Sequence, residues 1–109
     1  MAQFARKTQV VTSYADAPAL AAACMPDDAL FCVSTAALEA RLAQFQAGFP
    51  GCVSYAVKAN PSPQVIAALA AAGLRHWDTA SVQEMAAVRA IQPAARFHYH
   101  NPVKSRHEI

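Results

Sequence analysis

Glycine is scarce in this 109-residue chain, where only Gly48, Gly51 and Gly73 occur. They are too dispersed to build a glycine-rich loop that cradles a phosphate on backbone amides. Cys24, Cys32 and Cys52 are odd in number and show no C-x-x-C spacing, which argues against a disulfide framework and a zinc ribbon and fits a reducing cytoplasm. Charge is also sparse, at 15% of residues and a net +2. Arg6, Lys7, Lys58, Arg75, Arg89, Lys104 and Arg106 are scattered rather than gathered in a stripe, so a nucleic-acid partner has little support. No apolar run reaches the roughly 20 residues that a membrane-spanning helix needs. Thr8, Ser13 and Asp16 interrupt what would have to be the apolar stretch of a signal peptide.

What remains is an alanine-rich sequence, 55% hydrophobic, that alternates short apolar runs with helical patterns. Residues 1 to about 29 form a weakly specified arm with one helix around Pro18 to Cys24. Leu30–Val33 reads as a short buried strand, and Ser34-Thr35 offers hydroxyls for a helix start. Leu38, Leu42 and Phe45 then recur at helical spacing until Pro50-Gly51. A second apolar run, Cys52 to Val57, ends at Lys58 and a turn, Ala59-Asn60-Pro61-Ser62-Pro63. Ser62 can cap the next helix, Pro63 fits its first turn and Gly73 its end. Leu74–Asp78 is the following strand, Ser81-Val-Gln-Glu84 a capping box opening a helix to about Ile91, and Arg96–His100 another strand. Ser105-x-x-Glu108 would begin a further helix.

Strand starts near positions 52, 74 and 96, each followed by a helix, are the signature of βαβ units and a parallel sheet. All carboxyl ends of such a sheet lie on one side, where α/β folds place their chemistry. Lys58, Asp78 and the loop from Asn101 to Lys104 should therefore be neighbours in space.

Tyr55-Ala-Val-Lys-Ala-Asn-Pro61, then Asp78-Thr-Ala-Ser81 with Glu84, then Asn101-Pro-Val-Lys-Ser105, resemble the N-terminal part of the ornithine/diaminopimelate/arginine decarboxylase family. The resemblance runs from roughly Leu30 to Ile109 and is most similar to the ornithine decarboxylases. It implies an alanine-racemase-like (β/α)₈ barrel of the fold-type III pyridoxal phosphate enzymes, with residues 30–109 supplying its first βα units. A complete barrel takes about 250 residues, so the chain is expected to be an incomplete, N-terminal portion. Little or no activity is expected of it alone, and its unpaired sheet edge should make it marginal or aggregation-prone.

In that family such a lysine carries pyridoxal 5'-phosphate, so the resemblance makes Lys58 catalytic and gives cofactor contacts to Lys58, Asp78 and Ala56. A desolvated position between Tyr55 and Val57 would lower the ammonium pKa and favour condensation with an aldehyde. Asp78 could orient the lysine or the cofactor ring, or simply turn the chain. Glu84 and Lys104 belong by resemblance to the surroundings of the active site, although Glu84 is better explained as a reciprocal cap with Ser81 and Lys104 equally well as a solvated side chain. The implied reaction removes the α-carboxylate of a basic amino acid to give a diamine for polyamine biosynthesis, in a cytoplasmic homodimer without nucleic-acid or membrane partners.

The family's glycine-rich phosphate loop, its acid facing the pyridine nitrogen, its ring-stacking histidine and its C-terminal β-domain have no counterpart in the sequence. Asn60-Pro61, Asp78-Thr-Ala-Ser81 and Asn101-Pro102 favour the decarboxylases over alanine racemases and pyridoxal phosphate homeostasis proteins. A non-catalytic decarboxylase look-alike or a gene remnant is the rival from another class. His98 and His100 share a strand face, but no third Cys, His, Asp or Glu follows at a helpful local spacing, so no metal is expected.

Overall fold

The computed structural model describes residues 13–107. The contacts divide the chain into two units, Met1–Cys32 and Val33–Ile109. In the first, helix α1 (Ala17–Cys24) starts where the Asp16 carboxylate accepts the amide of Ala19 at 2.8 Å and ends at Met25 in the left-handed region. The strand expected at Leu30–Val33 is not formed. A strand exists only through a partner's backbone groups, and these residues have no ladder bonds among the described residues, leaving Leu30, Phe31 and Val33 exposed.

The second unit is α/β. Helix α2 (Thr35–Gly48) is capped by Ser34, whose hydroxyl accepts the Ala37 amide at 3.2 Å. Strand β1 (Ser54–Ala56) runs into a single 3₁₀ turn, Val57–Ala59. Helix α3 (Pro63–Ala71), strand β2 (His76–Thr79), helix α4 (Val82–Ile91) and strand β3 (Arg96–Tyr99) follow. The three strands form one parallel sheet in the order β1-β2-β3. The helix start expected at Ser105 with Glu108 falls partly outside the described residues, as do the first twelve residues of the N-terminal arm. No helix among the described residues is long and apolar enough to cross a membrane.

The sharp end of α3 shows how sequence dictates local structure. Gly73, at φ +96, donates to the Ala70 carbonyl and Leu74 to the Leu69 carbonyl, a pair that satisfies two otherwise orphaned acceptors. Leu69 and Leu74 are both buried, so the same turn closes one edge of the core and aims the chain into β2.

Because side chains alternate along a strand, the sheet has two distinct faces. Trp77 and Thr79 of β2 are buried, and Trp77 clusters with Leu42 of α2, Val65, Ile66 and Leu69 of α3, Val57, Leu74, Val88 of α4 and Ala95. Tyr55 packs edge-on against Trp77 at 6.1 Å between ring centroids, and Phe97 lies against the same cluster. Phe45, expected on the buried stripe of α2, is exposed, so only Leu42 and the half-buried Leu38 of that stripe reach the core.

Gln92 carries a polar link through the core. The Trp77 indole donates to Gln92 Oε1 and Gln92 Nε2 donates to the Leu74 carbonyl, each at 2.8 Å. Gln92 stands directly after α4, so its side chain ties the end of that helix to both ends of the turn into β2. Replacing Gln92 by Leu leaves the Trp77 donor and the Leu74 acceptor unpaired and is expected to lower unfolding free energy by about 2–4 kcal/mol in equilibrium denaturation. A loss under about 0.5 kcal/mol would show that the link is dispensable.

Candidate functional site

The face of the sheet opposite Trp77 carries Ser54 and Ala56 of β1, His76 and Asp78 of β2, and Arg96 and His98 of β3, with Ala56, Asp78 and His98 paired in register. At the carboxyl ends of the three strands, Ala56, Lys58, Asp78, Thr79, Ala80, His100, Asn101 and Pro102 line a cavity of about 340 Å³. That volume lies within the range of small-molecule sites. The structure thus brings together Lys58, Asp78 and Ala56, which the sequence separates.

Lys58 occupies the 3₁₀ turn that ends β1. Residues on both sides secure the turn: the Asn60 side chain accepts the Ser62 amide at 3.1 Å, and the Tyr55 hydroxyl donates to the Asn60 carbonyl at 3.3 Å. Burial raises the Tyr55 phenol above its ordinary pKa, which keeps it a neutral donor. The desolvated position expected for Lys58 is not observed, because the side chain is exposed. Tyr55 and Val57 cannot wall it, since strand alternation turns both toward Trp77 and the helices. Ala56 lines the cavity instead. Among the described residues Lys58 makes no hydrogen bond or ion pair, so its amine is available.

Asp78 Oδ1 lies 3.0 Å from His100 Nδ1. The two side chains are 36% and 73% exposed, so the pair contributes at most about 1 kcal/mol to stability. Its consequence is directional: the histidine holds the carboxylate at the cavity mouth. His98 stacks on His100 with ring centroids 6.1 Å apart and an interplanar angle of 20°. Thr79 is buried, and its Oγ1 has no hydrogen-bond partner among the described residues. An available amine and a carboxylate on the same sheet face form a set that fits the aldehyde and ring end of a pyridoxal group, while the Thr79 hydroxyl points to the opposite, helix-packed face. No glycine-rich phosphate cradle accompanies them in this chain.

Two residues expected near the site are engaged elsewhere. Glu84 Oε2 accepts the Ala80 amide at 2.7 Å while its own amide donates to Ser81 Oγ at 3.2 Å. The carboxylate reaches one residue beyond the cap, to Ala80, which is itself one of the residues lining the cavity. Lys104 Nζ sits 5.3 Å from the centre of the Tyr99 ring and does not line the cavity. His100, conversely, was legible only as a member of a histidine strand face. Finding its carboxylate partner requires the β2–β3 register, which no local pattern encodes.

Residues 35–109 match a family model described as the pyridoxal-binding domain of the pyridoxal-dependent decarboxylases. No curated protein and no solved structure matches the chain.

The Glu84 geometry separates a local structural role from a direct one. Glu84→Ala is expected to lower stability by about 1 kcal/mol, and Glu84→Gln, which keeps an acceptor, to lower it by less than half as much in thermal or urea unfolding. Unchanged stability in Glu84→Ala would contradict the capping assignment.

Proposed function

From the premise that the chain belongs to the pyridoxal-dependent decarboxylases and carries their pyridoxal-binding domain over residues 35–109, we propose that Lys58 is the residue to which the cofactor attaches. Pyridoxal phosphate is the cofactor of this domain. The observation that carries the reading is the meeting of Lys58, Asp78 and Ala56 in one cavity at the strands' carboxyl ends. When bound, the pyridine ring supplies an electron sink for the pair left behind as the carboxylate departs.

The protein's own groups have separable roles in this proposal. Lys58, whose amine has no partner among the described residues, would be the group that holds the cofactor through its aldehyde. The same amine, at the cavity that Asp78 and Ala56 also line, would be the group to return a proton to the substrate. Asp78, steadied by His100, orients the cationic end of this arrangement through its charge. Ala56, with its short side chain, would leave room in the cavity for the cofactor. The helix-side packing of Trp77 keeps β2 in the register that faces Asp78 toward Lys58.

The substrate we propose is a basic amino acid, ornithine first among ornithine, lysine, arginine and diaminopimelate, decarboxylated to a diamine for polyamine biosynthesis. The proposed setting is an alanine-racemase-like (β/α)₈ barrel in a cytoplasmic homodimer. Support comes from the family and from the motif at Asn60-Pro61, Asp78-Thr-Ala-Ser81 and Asn101-Pro102.

Titration of the chain with pyridoxal phosphate is expected to produce the absorbance of lysine-bound cofactor, lost in Lys58→Ala and retained in Lys104→Ala. Equal absorbance in Lys58→Ala would overturn the assignment of the attachment site. Turnover of carboxyl-labelled ornithine is expected to be slight and racemisation of L-alanine nil. Racemisation above the Lys58→Ala background would move the chain to the racemases.

A further inference from the structure

On the same sheet face, Cys52, His76 and His98 converge. They come from three segments: the stretch leading into β1, the first residue of β2 and the third residue of β3. One donor atom from each lies within 4.8 Å of the others. His76 Nδ1 and His98 Nε2 are 2.8 Å apart, with the rings tilted by 31° and their centroids separated by 5.1 Å. None of the three lines the cavity at Lys58. His76 lies two strand residues before Asp78, about 7 Å away along β2.

We propose that Cys52, His76 and His98 bind a zinc-class divalent transition-metal ion, distinct from the pyridoxal site. The donor set is the first argument. One thiolate and two imidazoles suit zinc and its borderline neighbours and not magnesium or calcium, which take oxygen ligands. Distance is the second. Tetrahedral zinc, with bonds near 2.0–2.1 Å to nitrogen and 2.3 Å to sulfur, separates two nitrogen ligands by about 3.3 Å and a nitrogen from a sulfur by about 3.6 Å. The imidazole nitrogens need to part by about half an ångström, and the sulfur to swing in by about one, which side-chain rotation accomplishes on a fixed backbone.

Accessibility is the third argument. Cys52 is exposed, and Cys52 and His76 line a second cavity of about 320 Å³ with Gln46 and Gly73, which gives an ion a path and leaves its fourth position open to water. An ion held here links the entry of β1 to β2 and β3, replacing the His76–His98 contact with bonds to a shared centre. Its consequence is a clamp on the sheet face that carries Asp78, and bound metal raises stability by mass action.

The test is a zinc titration of the metal-free, reduced 109-residue chain against a chromogenic chelator, with cobalt as a spectroscopic probe. One ion per chain is expected, with a sulfur-to-cobalt charge-transfer band. Cys52→Ser and His98→Gln should each weaken zinc binding by at least about 100-fold, while His107→Gln, outside the cluster, leaves it unchanged. Zinc should also slow alkylation of Cys52 and leave Cys24 and Cys32 unprotected, a readout on the unsubstituted protein that does not depend on how the variants fold. Absence of the sulfur band, or Cys52 alkylation indifferent to zinc, would overturn the proposal. So would affinity retained in a Cys52→Ser/His98→Gln double variant.

Discussion

The burial of Trp77, fastened by its hydrogen bond to Gln92, decides which face of β2 meets the helices. Everything else on the strand follows from the two-residue alternation of side chains. With Trp77 and Thr79 inward, His76 and Asp78 are outward, and parallel pairing carries that choice to Ser54 and Ala56 on one side and to Arg96 and His98 on the other. A slip of one residue would place the Asp78 carboxylate in the apolar core and expel the indole, so the register is defended from both sides. Site geometry here is therefore a product of core packing.

Placing Lys58 needs a second device, the abrupt end of β1. Val57 is buried as the last inward residue, and the 3₁₀ turn at Val57–Ala59 lifts the next side chain out of the sheet. Asn60 and the Tyr55 hydroxyl then secure the turn before Ser62 caps α3. Exposure at Lys58 carries a chemical consequence as well. Its amine is held by no partner among the described residues, and the apolar walls expected from Tyr55 and Val57 belong to the core rather than to the site.

Helix starts were legible because their signals are local. Ser34, Ser62 and Ser81 each present a hydroxyl to an amide three residues on, and Gly73 supplies the positive φ that α3 needs to stop. The strand ends were readable to within one residue from apolar runs broken by turn residues, β1 stopping at Ala56 rather than Val57 and β2 at Thr79 rather than Asp78. Leu30–Val33 shows the opposite case, since its apolar composition suits a strand but pairing depends on another segment's backbone. The Asp78–His100 contact and the Cys52–His76–His98 cluster escaped the sequence for a related reason. Each joins residues more than twenty positions apart through the sheet register, while metal and charge signals in a sequence are recognised by short spacing.

The proposal that Lys58 holds the cofactor rests on its position at the strands' carboxyl ends, and chemical trapping tests that proposal directly. Borohydride reduction of the pyridoxal phosphate-loaded chain, followed by peptide mass mapping, should find one pyridoxyl group, on Lys58. Modification spread over Lys7 and Lys104 as well, or confined to either of them, would contradict the account.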